Sequence, residues 1–155
     1  KEKISGDCRM IIREMEEADL EEVSAIERDT FSEPWSKSSF LEAISNQNNH
    51  YLVAVIDGAV VGYCGYYGIA GEGYIYNVAV SANFRRQGIG YKMLQGLIRH
   101  AQDRGVYSLT LEVRKSNLPA INLYKKLGFI EAGIRKDFYT RPTEDAVIMW
   151  RNEIH

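Results

Sequence analysis

A chain of 155 residues with 45% apolar and 26% charged residues has the size and make-up of one globular domain that buries its own core. Its formal net charge of −2 excludes the basic excess of a general nucleic-acid binder. No apolar run reaches the roughly 18–20 residues that cross a bilayer, and the opening KEKISGD has no apolar centre to make a signal peptide. The expectation is therefore a cytoplasmic protein with neither nucleic acid nor membrane among its partners.

One domain is predicted over residues 8–153, with 1–7 read as a frayed or extraneous end. Cys8 and Cys64 lie far apart and match no metal-ligand spacing, so both read as reduced thiols. CRMIIREM predicts a first strand. In ADLEEVSAIERDTF, Asp19 and Glu22 have the spacing of a capping box, and Leu20, Val23 and Ile26 mark an inward face. Ser36, after Pro34, starts a second helix in which Phe40, Leu41 and Ile44 point inward.

HYLVAVID and AVVGYCGYYGIA flank Asp57–Gly58, the strongest hairpin signal in the chain, and GYIYNVAV is a further β-prone run. From Ile89 to about Asp103 the period changes: Ile89, Met93, Leu97 and Ala101 fall four apart, an amphipathic helix that Gly105 ends. VYSLTLEV then alternates, with Tyr107, Leu109, Leu111 and Val113 on one face and Ser108, Thr110 and Glu112 on the other. Asn117, with Pro119 two residues on, opens a short helix closed by Gly128. FIEAGIRKDFY and EDAVIMWRNE read as the last two strands. The order is β-α-α-β-β-β-α-β-α-β-β, an α/β (α+β) fold with a mixed, mostly antiparallel sheet and helices on both faces.

The stretch NFRRQGIGYKML places two arginines and two glycines between a strand and a helix. A helix N-terminus offers unpaired N–H groups and partial positive charge, so it suits an anion. It is not a Walker loop, because Gly90 is followed by Tyr91 and Lys92 rather than Lys-Ser/Thr. It is not a dinucleotide fingerprint, because the third glycine position holds Met93. What remains is R-x-x-G-x-G, from Arg85 through Gly88 to Gly90. Taken alone this is either a tight turn or a phosphate cradle.

Following a strand that ends VAV, this motif resembles the acetyl-CoA pyrophosphate loop of the GNAT N-acetyltransferases. LEVRKSNLPAINLYKKLGF resembles the second signature of the same family, and the predicted order of elements is that of its fold. FSEPWSKSSF, LEVRKSN and RKDFYTRPTEDAVIM are most similar to its RimI-type branch, the bacterial ribosomal-protein alanine N-acetyltransferases. The similarity runs from about Arg9 to Trp150.

The resemblance implies acetyl-CoA as co-substrate and no metal. Arg85, Arg86, Gln87, Gly88, Ile89, Gly90 and Tyr91 would hold its pyrophosphate. Val78, Ala79 and Val80 would pair main-chain groups with the pantetheine arm, and the Asn117 side chain would add a contact. Glu112 is either a solvated partner of Arg114 or Lys115 or, as the resemblance implies, the base. Tyr124 is either core or the acid that protonates the departing thiolate. Phe31 and Trp35 are rim or core anchors on the acceptor side, opposite Tyr139 and the TRPTED segment. Asp137, Glu144 and Asp145 are candidates to attract a basic peptide. His50, His100 and His155 match no metal or triad pattern.

The absence of a cysteine from the cleft elements points to direct attack in a ternary complex. The implied acceptor is the N-terminal alanine of a small-subunit ribosomal protein. A small amine or lysine side chain is the second reading, and a non-catalytic CoA-binding regulatory module the third.

Overall fold

The computed structural model describes residues 10–152. Cys8, His155 and the predicted domain ends lie outside the described residues. The chain forms β1 (Met10–Glu14), α1 (Leu20–Thr30), α2 (Lys37–Ile44), β2 (Asn49–Ile56), β3 (Ala59–Ile69), β4 (Glu72–Val80), α3 (Ile89–Asp103), β5 (Ser108–Arg114), α4 (Leu118–Lys126), β6 (Ile130–Tyr139) and β7 (Glu144–Asn152). This is the order expected from the sequence. The strands build one seven-stranded sheet in the order β1-β2-β3-β4-β5-β7-β6. Only the β4–β5 pair is parallel.

Two cores lie on opposite faces of this sheet. On one, Met93, Leu94, Leu97 and Ala101 of α3 pack with Ile121 and Leu127 against Leu52, Ile75, Leu109 and Leu111. Met93, Leu94 and Leu97 have no exposed surface, and burying each is worth about 1.5–3 kcal/mol. On the other face, Leu20, Val23 and Ile26 of α1 and Phe40 of α2 cover Tyr51, Val53 and Tyr63.

Local signals hold where no distant group competes. Asp57 and Gly58 both have positive φ, 50° and 81°, as a two-residue primed hairpin turn needs. Ser36 accepts the Ser39 N–H at 3.1 Å, and Asn117 accepts the Ala120 N–H at 3.2 Å.

The predicted Asp19–Glu22 capping box does not form. Asp19 instead takes a two-pronged bond from Arg13, 2.8 Å on each oxygen, and the Glu16 N–H at 2.7 Å. Glu22 accepts the Val60 N–H from the sheet at 2.9 Å. Leu41 and Tyr107 are exposed rather than inward, since α2 buries only Phe40 fully and Tyr107 precedes β5.

The histidines have a structural place. His100 joins the Tyr66 hydroxyl at 2.7 Å to Glu14 at 2.9 Å, and His50 stacks on both Tyr66 and His100. Among the described residues no helix is long and apolar enough to cross a membrane.

Candidate active site

The cleft begins with a sheet that comes apart. β4 and β5 pair only from Glu72–Tyr74 to Ser108–Thr110, after which no rung joins them. On its other side β4 stays paired to β3, but with an irregularity: Cys64 faces Val78 and Gly65 faces Tyr76. Asn77 is the extra residue, at φ 58°, a left-handed conformation that asparagine tolerates. Its side chain accepts the Tyr51 hydroxyl at 3.2 Å. The bulge increases the local twist, so β4 leaves β5 and exposes main-chain groups along the gap.

Val78, Ala79 and Val80 line this stretch. Ala79 is buried, and Val78 and Val80 are half-buried against the core. Their side chains pack, which leaves the main chain to do any binding.

At the end of β4 the chain passes a short 3₁₀ turn, Ala82–Phe84, and enters α3 through Gly88 at φ 79°. A β-carbon there would meet nothing within 4 Å, so the glycine serves the left-handed backbone and leaves the approach open. Arg86 also has positive φ, 64°. The first bond of the helix runs from Lys92 N–H to Gly88 C=O, so the first-turn N–H groups of Ile89, Gly90 and Tyr91 precede it. These three forward-pointing amides and the helix dipole fit a pyrophosphate.

Arg85 behaves differently from expectation. Its Nε donates to the Val80 carbonyl at 3.0 Å, so the side chain clips the loop to the end of β4. Arg86 is exposed, and Gln87 makes a long 3.5 Å bond to the Asn83 carbonyl. Asn117 uses its side-chain oxygen on the cap of α4, which leaves its amide nitrogen to donate to a ligand.

Glu112 lies on the face of β5 opposite the α3 core, with a side chain only 7% exposed. Its partner is neither Arg114 nor Lys115. Oε2 lies 2.9 Å from Arg135 Nε, and Oε1 accepts the Tyr74 hydroxyl. Burial and then Glu112 itself hold the Tyr74 phenol above its ordinary range.

Tyr124 of α4 is buried, edge-on to Phe129 at 5.7 Å, and burial raises its phenol above the ordinary range. Its hydroxyl feels both Cys64 and Tyr139. Tyr139 in turn feels Glu112 and is pushed up to about 12, first by burial. Tyr139 therefore lies near enough to both groups for their charges to be felt.

Cys64 corrects one expectation, that no cysteine falls in the cleft elements. It stands on β3 opposite Val78, near Tyr124. It is free and has no exposed surface, and burial pushes its thiol above the usual range, which disfavours the nucleophilic thiolate.

The side expected to receive the acceptor is built by loops. Trp35 stacks on Phe40 at 5.3 Å and on Tyr76 at 6.0 Å, so it anchors the α1–α2 connection in the core. The Trp35 backbone N–H donates to buried Glu27 at 3.0 Å, and Glu27 also accepts the Tyr63 hydroxyl. Phe31 is left on the surface, 37% exposed. Glu33 of the same connection accepts Thr140 Oγ1 at 2.5 Å, tying it to the β6–β7 loop.

Arg114 organises that loop. It donates to the carbonyls of Pro142 at 2.9 Å and Thr140 at 3.1 Å, pairs with Glu144 at 3.2 Å, and lies 4.5 Å from the centre of the Tyr139 ring. Glu144 also accepts the Ser116 N–H, and Asp145 accepts the Asp137 N–H. These carboxylates hold the loop together rather than offering free charge to a peptide. Tyr74, Arg135 and Arg114 carry no sequence signal: each acquires its place from a partner more than twenty residues away.

Comparison with known proteins agrees with this geometry. The model of the Acetyltransferase (GNAT) family matches residues 20–129. The ribosomal protein bS18-alanine N-acetyltransferase of Escherichia coli (strain K12) is 39% identical over 142 residues, covering 89% of this chain and 94% of that protein. The crystal structure of the ribosomal-protein-S18-alanine N-acetyltransferase from Escherichia coli superposes with a TM-score of 0.87 at 33% identity, covering 95% of this chain and 96% of the other. That of Ard1 from Thermoplasma volcanium superposes with a TM-score of 0.86 at 28% identity, covering 94% and 99%.

Proposed function

The chain belongs to the GNAT acetyltransferase family, and we propose that it transfers acetyl from acetyl-CoA to the N-terminal alanine of the ribosomal protein bS18. The observation that supports this acceptor is the similarity, over nearly the full length of both chains, to the Escherichia coli enzyme of that name. Acetyl-CoA supplies the activated acyl group as its thioester. A ribosomal-protein acceptor implies a cytoplasmic reaction.

The residues divide the work as follows. The first-turn amides of α3, from Gly88 to Tyr91, and the exposed Arg86 hold the pyrophosphate. On the side of β4 that β5 leaves open, main-chain groups of Val78, Ala79 and Val80 pair with the pantetheine arm, and one N–H there stabilises the oxyanion. Asn117 adds its amide nitrogen.

An N-terminal amine titrates near 8, so at neutral pH most of it is ammonium. Glu112 takes that proton, directly or through one water, and the freed amine attacks the acyl carbon. As the new C–N bond forms and the C–S bond breaks, Tyr124 gives its proton to the leaving sulfur. Its raised titration range keeps it protonated, and thus ready to donate, across the working pH. Buried Cys64 offers no route through an acetyl-enzyme. Phe31 and Tyr139 flank the peptide.

The test incubates the protein with acetyl-CoA and separate panels of N-terminal peptides and small amines, reading thiol release and product mass. Turnover with Ala-initiated bS18 peptides above other N-termini is expected. Turnover confined to small amines overturns the acceptor. CoA binding without turnover on any acceptor overturns catalysis and leaves a regulatory module.

A further inference from the structure

Glu112 does not meet the cleft as a bare carboxylate. Arg135 stands on β6, at the outer edge of the sheet, and crosses β7 to reach it. The rung that Arg135 shares is with Ala146, while Glu112 faces Ile148, so the guanidinium crosses diagonally above the small, fully buried Ala146. The Arg135 side chain is itself 57% exposed. Besides the Glu112 carboxylate, its guanidinium approaches the Phe138 ring at 5.8 Å.

The groups facing Glu112 come from five elements. They are Tyr74 of β4, Arg114 of β5, Arg135 and Tyr139 of β6, Glu144 of β7 behind Arg114, and Tyr124 of α4 by way of Tyr139. Two are cations. Arg114 is committed to Glu144 and two carbonyls of the loop. Arg135 is the cation in contact with Glu112 and the one with solvent to move into.

A carboxylate this buried is costly to leave unpaired. The incoming acceptor is itself a cation, since most of an N-terminal amine is ammonium at neutral pH. Resting on the reading of Glu112 as base, we propose that Arg135 is a place-holder for the acceptor: it balances Glu112 in the peptide-free enzyme and swings into solvent as the peptide's ammonium takes its position. One cation replaces another, and the carboxylate is never left bare. Arg135 is then a positioning residue that acts through Glu112 and competes with the peptide for it.

The experiment measures kcat and KM for an Ala-initiated bS18 peptide from pH 6 to 9 in wild type, Arg135→Ala, Arg135→Lys and Glu112→Gln, with thermal unfolding to establish that each folds. In Arg135→Ala the competitor is gone, so peptide KM near pH 7, where most of the amine is ammonium, falls several-fold while KM for acetyl-CoA stays put. The gain shrinks toward pH 9, where the amine is no longer a cation. Arg135→Lys restores most of the wild-type KM. An unchanged peptide KM near pH 7 in Arg135→Ala overturns the proposal. So does a loss of equal size at every pH that lysine does not rescue, which marks a purely structural role. Glu112→Gln separates the layers: full activity there removes Glu112 as base and the place-holder with it. Impaired Glu112→Gln beside an unaltered Arg135→Ala removes the place-holder alone.

Discussion

The donor and acceptor halves of the cleft are built on different principles. The donor half is continuous in sequence: β4 runs through one turn into α3, and its proposed binding groups are main-chain amides at a turn set by Gly88. The acceptor half is assembled from Tyr74, Glu112, Arg135 and Tyr139 on three strands, with Glu33 reaching in from the α1–α2 connection. Backbone binding tolerates many side chains, whereas the acceptor half depends on each one. A substitution should therefore strike one substrate's kinetics and spare the other's.

The largest effect is expected at Glu112. Glu112→Gln removes the proposed base, and turnover is expected to fall by about 10²–10⁴-fold, the usual worth of a positioned acid or base. The loss is greatest at low pH, where little free amine exists to attack unaided. An activity equal to wild type across pH 6–9 would strike Glu112 from the mechanism. Tyr124→Phe comes next: turnover drops by about 10²-fold while KM for acetyl-CoA changes little, as steady-state kinetics with both substrates varied will read.

Arg114→Ala sharpens the division itself. It frees the β6–β7 loop and Tyr139, so KM for the peptide rises about tenfold while KM for acetyl-CoA holds; equal rises in both would mean the halves are not separable. Gly88→Ala is the mirror case. Forcing a side chain into φ 79° costs about 1–2 kcal/mol, and KM for acetyl-CoA rises while the peptide's stays.

The smallest effect lies outside the cleft. Arg13 holds the Asp19 carboxyl below its ordinary range, chiefly through their hydrogen bonds. A depressed folded value means that the stabilisation is complete above the unfolded value near 3.9 and fades as pH falls through the folded one. Asp19→Asn should lower stability by about 1–2 kcal/mol at pH 7, allowing for the exposure of Arg13. Denaturant unfolding should show the gap to wild type closing below pH 4.

The same division explains what the sequence made legible. The α3 span, the Asp57–Gly58 turn and the Ser36 and Asn117 caps depend on residues within a few positions of one another, and each was readable. The glycine loop belongs to this class. Asp19 and Glu22 had the right spacing for a cap, yet Arg13 and the Val60 amide claimed them first. Glu112 could be picked out by its place in LEV, but not its partners, because sequence distance ranked Arg114 and Lys115 ahead of Arg135. Only the sheet order, with β7 inserted between β5 and β6, brings Arg135 across.

The parting of β4 from β5 carries a further consequence. A sheet whose central seam is joined over three rungs and then open is a template missing a strand. An acetyl-CoA arm bearing amides can complete that template, so donor binding resembles the last step of folding as much as the docking of a ligand. The apo enzyme should behave as two lobes, β1–β4 and β5–β7, hinged at Glu72–Tyr74. Saturating CoA should then slow amide hydrogen exchange along the seam and raise the unfolding temperature, tightening the lobes around the donor before any peptide arrives.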